Sequence, residues 1–244
     1  MCIVSVAWRA HPNWPLVAIG NRDELHSRPG DPLMRWEDPD HLLAGRDRLA
    51  GGTWLGVSEQ GRFAVITNVA GHEQQIAPRS RGLLMSHFLS NSGAFKDLGM
   101  TQLDLFNPFN LITIDGDRAR LVSNQPNPIS QDLSPGIYGL SNGPIDNPWP
   151  KSEVLDNGLR QWLDDDRAPP SQLLDLLHSD ETYAGSSEDS DHRNSPIFIR
   201  NSVYGTRCST YVLVDHQGYG TICERRFNAS GEITGETSHS FRWP

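Results

Sequence analysis

The feature that most restricts the fold of this chain is a series of short β-rich runs paired around tight turns. Residues 2–8 and 16–20 are apolar runs separated by His11-Pro12-Asn13-Trp14-Pro15, which predicts an opening hairpin. Two further pairs of predicted strands flank turns, at 53–57 with 62–68 and at 110–114 with 119–123. Because no helix separates the members of a pair, the strand–helix alternation of a parallel sheet is missing. The pattern therefore predicts antiparallel sheets.

Helical periodicity is confined to a few segments between and after these pairs. It predicts helices over 80–89, 151–163 and 171–177, and strands again over 197–199, 206–214 and 219–226. Residues 184–195 contain no apolar residue beyond the first and carry mixed charge, which predicts a mobile loop. We expect one layered α+β domain over residues 1–244.

Net charge bears on the kind of partner. The chain carries a formal net charge of -9, so its overall field repels phosphate backbones and anionic lipid, and nucleic acid is not expected as a partner. No apolar run is long enough to span a membrane, and the opening residues lack a basic leader, so a cytoplasmic protein is expected. The three cysteines form no CxxC pair and the histidines are scattered, which predicts free thiols and no metal site.

The second residue has the most distinctive chemistry. If Met1 is removed, Cys2 carries a thiol and a free α-amine with a pKa near 8, so one residue supplies both nucleophile and general base. That combination is typical of N-terminal-nucleophile enzymes. The alternative is that Cys2 is simply a small apolar residue at the start of a buried strand.

Four polar residues follow the second apolar run. In a hairpin the end of the second strand returns to the start of the first, so Asn21-Arg22-Asp23-Glu24 is expected to lie beside Cys2. An arginine there favours the thiolate, and an aspartate can orient the α-amine. The alternative is a solvated turn that contains an ion pair.

Motifs along the whole chain carry a family resemblance. They are Met1-Cys2, Asn21-Arg22-Asp23-Glu24, Ser27-Arg28-Pro29, Gly51-Gly52-Thr53-Trp54-Leu55-Gly56, Thr67-Asn68, residues 79–82, Phe109-Asn110-Leu111, Tyr138-Gly139-Leu140-Ser141-Asn142, Pro148-Trp149 and Tyr204-Gly205-Thr206-Arg207. In these the sequence resembles the NRDE family, also called the Transport and Golgi organisation 2 family. That family is similar to N-terminal-nucleophile hydrolases of the choloylglycine hydrolase kind, which implies a four-layered αββα sandwich with two antiparallel sheets.

The resemblance also implies a set of site residues. In the hydrolases the N-terminal cysteine is served by an early arginine and aspartate, two asparagines and a late arginine. The corresponding residues here are Cys2, Arg22, Asp23, Asn68, Asn142 and Arg207. The hydrolases separate the early pair by two residues, whereas Arg22 and Asp23 are adjacent and should project to opposite sides of a strand, which leaves Asn21 and Glu24 as substitutes. Asn68 and Asn142 are suitable oxyanion donors, or alternatively cap turns.

Two functions from different classes follow from the resemblance. The first is binding and trafficking of an amphipathic anion, with haem first and acyl-CoA or lipid second. The residues expected to hold such a ligand are Asn21, Arg22, Glu24 and Arg207, and any haem would be non-covalent because no CxxCH attachment site is present. The second is an N-terminal-cysteine amidohydrolase that acts on a linear or cyclic acyl amide.

Overall fold

Two antiparallel sheets form the body of a computed structural model that describes residues 2–70, 79–97, 99–165, 167–181 and 192–244. The first sheet has six strands in the order β10-β1-β2-β11-β12-β13. These are β1 (Cys2–Trp8), β2 (Leu16–Leu25), β10 (Gly136–Leu140), β11 (Tyr204–Val214), β12 (Tyr219–Phe227) and β13 (Ile233–Arg242).

The second sheet is a seven-stranded meander in sequence order, from β3 to β9. Its strands are β3 (Gly30–Arg35), β4 (Leu42–Asp47), β5 (Leu55–Ser58), β6 (Arg62–Asn68), β7 (Phe109–Asp115), β8 (Arg118–Ser123) and β9 (Ile129–Asp132). The predicted hairpins of 53–68 and 110–123 form its centre.

Three α-helices cover the outer faces of the sheets. In the described residues they are α1 (Arg81–Leu89), α2 (Pro150–Asp164) and α3 (Gln172–Leu176), and short 3₁₀ helices occur at Met100–Leu105, before β7, and at His192–Asn194, before β11. Ser80 caps α1 by accepting a hydrogen bond from the Gly82 backbone, and Pro150 occupies the first turn of α2, where its missing N–H costs nothing. No helix in the described parts of the chain is long and apolar enough to cross a bilayer.

Three apolar clusters define four layers. Alternation along each strand sends one set of side chains between the sheets, where Val4 and Val6 pack with Phe63, Val65 and Ile112. The other set from β1 and β2 packs under α2 and α3, and the outer face of the second sheet packs under α1. The predicted αββα sandwich is confirmed.

One predicted strand is wrong. Residues 197–199 are not paired in a sheet, although Ile197 and Phe198 are buried. Their backbone is hydrogen-bonded irregularly instead: Phe198 donates to the Ser179 carbonyl and Ile199 to the Thr206 hydroxyl. Of the mobile loop predicted over 184–195, residues 184–191 lie outside the described residues, and the 3₁₀ helix His192–Asn194 follows them.

Candidate functional site

Cys2 lies at the point where β1 begins. Its Cα pairs with that of Arg22 on β2, and its main-chain nitrogen donates a 2.8 Å hydrogen bond to Asn142 Oδ1. Burial raises the pKa of the thiol, while the Asp23 backbone N–H and the Arg22 charge favour the thiolate. The thiol therefore lies among some groups that raise its pKa and others that lower it.

A buried loop after β10 holds Asn142 in place. Thr67 donates from Oγ1 to the Ser141 carbonyl, and Asn110 donates from Nδ2 to the Gly143 carbonyl at 2.9 Å. Asn142 itself is 1% exposed and donates from Nδ2 to the Asn68 carbonyl at 2.6 Å. Both oxygen and nitrogen of the Asn142 amide are thus engaged, with one amide hydrogen left over.

Asn68 is the last residue of β6, on the opposite sheet. Its carbonyl is hydrogen-bonded to Asn142, which in turn is hydrogen-bonded to the Cys2 nitrogen. The side-chain amide of Asn68 makes no hydrogen bond with the part of the chain that the structure describes, and the residue is only partly buried. Its two amide hydrogens are consequently open to a ligand.

The polar tetrad lies within a strand, so the alternative of a solvated turn is wrong. β2 continues through Asn21-Arg22-Asp23-Glu24 to Leu25 because β11 pairs with it along this whole length. Asn21, Arg22 and Asp23 are all less than a tenth exposed. Since strand side chains alternate, Arg22 and Asp23 lie on opposite faces of the sheet.

Arg22 faces the space between the sheets. Its guanidinium stacks over Trp54 at 4.5 Å, and its Nη2 lies 3.4 Å from Asp47 Oδ2. Glu24 lies 3.8 Å from the same guanidinium. Burial alone raises the pKa of Asp47, but hydrogen bonds from Arg28 and the Ala50 N–H bring it below its usual value. Arg22 is accordingly paired with carboxylates of the protein itself.

Asp23 faces the helix layer. Its Oδ1 accepts a 2.6 Å hydrogen bond from Thr206 Oγ1, and burial raises the pKa of its carboxyl, opposed among others by the charge of Lys151. Lys151, the second residue of α2, is fully buried. A lysine near the start of a helix is normally a surface residue, so no local pattern indicated that this one is buried.

Two predicted site residues serve the scaffold instead. Asn21 donates from Nδ2 to the carbonyls of Leu177 and Ile197, and its Oδ1 accepts from Ser209, so its amide is fully engaged. Arg207 lies at a β-bulge of β11 and donates from Nη1 to three carbonyls of the loop after β2, those of Leu25, His26 and Arg28. Arg207 is not among the lining residues of the recess at Cys2, whereas Asn21 is.

Arg81 is a second residue that the sequence reasoning missed, although it lies in the motif at 79–82. It begins α1, and its Nη1 donates to the Pro108 carbonyl, which also accepts from the backbone of Val69 beside Asn68. Burial lowers the pKa of Arg81, and the charges of Cys2 and Glu24 oppose that shift. A cation therefore lies on the side of the site opposite Lys151.

The glycine–tryptophan motif explains how α1 approaches the site. A Cβ on Gly52 would lie 2.0 Å from the carbonyl carbon of Gly82, so only glycine permits this contact with the first turn of α1. The Trp54 ring lies so close to Gly45 that a Cβ there would clash with it, and the Arg22 guanidinium stacks over the same ring. Trp54 therefore packs against the second sheet and also takes part in the site.

The space beside Cys2 is small. A recess of about 230 Å³, part of it open to solvent, lies between the sheets at this point. Its lining includes Cys2, Val4, Arg22, Trp54, Val65 and Thr210. Among the described residues no group of three or more histidine, cysteine, aspartate or glutamate side chains is arranged to hold a metal ion.

Solved structures share this architecture. Penicillin V acylase from Agrobacterium tumefaciens matches with a TM-score of 0.54 at 10% identity, over 97% of this chain and 90% of that one. A mutant conjugated bile acid hydrolase from Clostridium perfringens matches with a TM-score of 0.51 at 9% identity, over 100% of this chain and 97% of that one. At these identities the likeness shows the fold alone, which is the sandwich of N-terminal-nucleophile hydrolases.

Sequence comparison defines the family. The family model of Transport and Golgi organisation 2 matches residues 1–229. The Mus musculus and Homo sapiens homologues of that protein are each 31% identical, over 92% of this chain and 92% of their own length. The Drosophila melanogaster protein is 22% identical over 89% of each chain. This chain belongs to the Transport and Golgi organisation 2 family.

Proposed function

We propose that this protein is an N-terminal-cysteine hydrolase that cleaves the C–N bond of acyl amides after Met1 is removed. The observation that carries the proposal is the 2.8 Å hydrogen bond from the Cys2 nitrogen to Asn142 Oδ1 at the start of a central strand. In the mature chain this nitrogen becomes the α-amine, and Asn142 then fixes its position beside the thiol.

The chemistry follows from these positions. The α-amine takes the thiol proton, the thiolate attacks the amide carbon, and the C–N bond breaks as the leaving amine takes that proton. A water molecule then hydrolyses the thioester and restores the thiol. Asn68, with both amide hydrogens open, is the first donor to the developing oxyanion, and Asn142 has one hydrogen to add.

The names of the matched structures agree with this chemistry. They are called an acylase and a bile acid hydrolase, and a third, from Caenorhabditis elegans, an N-acylethanolamine-hydrolyzing acid amidase. That third match has a TM-score of 0.50 at 12% identity, over 87% of this chain and 92% of that one. These names concern the other proteins and support the proposal only through the shared fold.

Carriage of haem or acyl-CoA has less support. Pockets for ligands of drug size have volumes of roughly 300–1,000 Å³, whereas the space in the recess at Cys2 that a water-sized molecule can occupy is only about 10 Å³. The two arginines expected to bind an anion are also engaged, Arg22 with Asp47 and Arg207 with loop carbonyls. Among the described residues that line the recess there is no histidine, methionine or tyrosine that would ligate haem iron.

Amine release from a panel of acyl amides tests the proposal. We expect Cys2→Ser to lower turnover by about 100-fold or more, because a serine hydroxyl is far less acidic than a thiol. Asn142→Ala should lower turnover by a similar factor, because the amine loses its acceptor. Cys223→Ser, at a buried thiol in β12, is the matched control and should keep turnover. No wild-type release on any amide, or equal release by Cys2→Ser, contradicts the proposal.

A further inference from the structure

Lys151 is a buried cation that the proposed chemistry does not use. The residue is 0% exposed, and its Nζ donates to Ser195 Oγ at 2.9 Å and lies 5.3 Å from the Trp149 ring. In the described part of the chain no carboxylate lies within ion-pair distance of it. An ammonium group is costly to bury unless an opposite charge compensates for it.

The fold places that opposite charge on the same face of the first sheet. Asn21 points into the helix layer, since its amide bonds the carbonyls of Leu177 and Ile197, and Asp23 lies two residues further along the same strand. The segment 195–199 links the two charges: Ser195 accepts from Lys151, while Ile199 donates to the Thr206 hydroxyl that binds Asp23.

The electrostatics agree with this placement. Burial lowers the pKa of Lys151, and the charges of Asp23 and then Cys2 oppose that shift. In return the charge of Lys151 opposes the rise that burial imposes on the pKa of Asp23. The amino terminus is a further cation, and its charge opposes the rise in the pKa of Asp23 more strongly than that of Lys151 does. Arg22 from β2 acts on both Cys2 and Asp23, and Arg81 from α1 interacts with the charge of Cys2.

We propose that Lys151 is a positioning residue that supplies the counter-charge for Asp23, so that Asp23 remains an ionised carboxylate beside Cys2. The inference rests on the proposed function, to which it adds the role expected for Asp23 from the sequence, that of orienting the amine of Cys2. Lys151 acts through Asp23 and touches no substrate. Since α2 carries Lys151, this helix contributes to the site as well as covering the sheet.

Carboxyl titration by carbon NMR tests the pairing without any substrate. The Asp23 signal is identified as the one that Asp23→Asn removes. We expect Lys151→Met to raise the midpoint of the Asp23 titration by about one pH unit or more. Lys151→Gln is a second neutral variant that keeps a donor for Ser195, and Lys151→Arg should restore the wild-type midpoint. Arg160→Met, on the exposed side of the same helix, is the control. An unchanged midpoint in either folded neutral variant overturns the proposal.

Alkylation of Cys2 by iodoacetamide tests the positioning role. The alkylation rate is followed by mass spectrometry across about pH 6 to 9. The variants Lys151→Met and Asp23→Asn should each change this rate by about threefold or more, and in the same direction. Lys151→Met should have a smaller effect in the Asp23→Asn background than in wild type, because Lys151 acts chiefly through that carboxylate. Independent, multiplied effects, or a Lys151→Met profile equal to wild type, overturn the proposal. Neither outcome depends on whether the protein cleaves amides.

Discussion

Single residues of the site are fixed by contacts that join different layers. Arg22 of the first sheet lies on Trp54 and beside Asp47, both carried by the second-sheet half of the chain. Asn142 connects the Cys2 nitrogen to the Asn68 carbonyl, and so joins the two sheets at their strand ends. Each of these side chains therefore stabilises the sandwich and sets the surroundings of the thiol.

Arg22 should contribute far more to stability than an exposed arginine in an ion pair. Arg22→Ala removes a cation–π contact and a buried charged hydrogen bond, while Asp47 keeps Arg28, so we expect a loss of about 2 kcal/mol. Arg35 pairs with Glu59 on the surface and is the matched control, for which Arg35→Ala should cost less than about 1 kcal/mol. Urea unfolding measures both, and equal losses would refute the distinction.

Among the elements, α2 both covers part of the first sheet and contributes Lys151 to the surroundings of the site. Its inner face also contains Asp156, which accepts a hydrogen bond from the buried Ser5 hydroxyl. Burial raises the pKa of Asp156 to about 6, with Arg160 lowering it and Glu153 raising it to smaller extents. The contact between α2 and the first sheet therefore includes the Asp156 carboxyl, which is easier to bury in its protonated, neutral form.

This gives a pH-dependent prediction for α2. A carboxyl whose folded pKa is raised from 3.8 to about 6 binds its proton more tightly in the folded state, so its contribution to stability falls as pH rises between these values. Asp156→Asn keeps both hydrogen bonds, because the amide can accept from Gly139 and donate to Ser5. It should be about 2 kcal/mol more stable than wild type at pH 8 and no more stable at pH 4. Thermal unfolding at the two values measures this, and a difference independent of pH would contradict it.

Local patterns predicted the elements that have strong periodicity. The opening hairpin, the central strands of the second sheet and all three helices follow from apolar spacing and turn residues. β3, which contains Pro32, and β13, which is largely polar, were missed because edge strands need no apolar run. Residues 197–199 were misassigned because an apolar run also fits a buried irregular segment.

The site was only partly predictable for a related reason. Cys2, Arg22 and Asp23 are close in a hairpin, so their proximity follows from sequence spacing. Lys151 and Arg81 reach the cluster only through packing of helices on sheets, which no local pattern encodes. Asn110 gave a usable signal, since an asparagine inside an otherwise apolar strand requires buried hydrogen-bond partners.

The whole molecule is two sheets whose strand ends meet at Cys2. β1 and β2 come from one sheet and β6 from the other, and the buried loop after β10 holds them together through Asn142. Arg22, Arg81 and Lys151 surround the thiol in a chain with a formal net charge of -9. The arrangement suits a nucleophile whose base is its own α-amine.

A hydrolase of this kind requires Cys2 to be the first residue of the mature protein. Intact-mass measurement of the purified chain tests this requirement, with Cys2→Leu as a control whose bulky second residue should hinder removal of Met1. We expect a wild-type mass lower than that of the full sequence by one methionine residue. Full retention of Met1 in wild type would leave the Cys2 nitrogen in a peptide bond, unable to act as a base, and would rule out the proposed hydrolase.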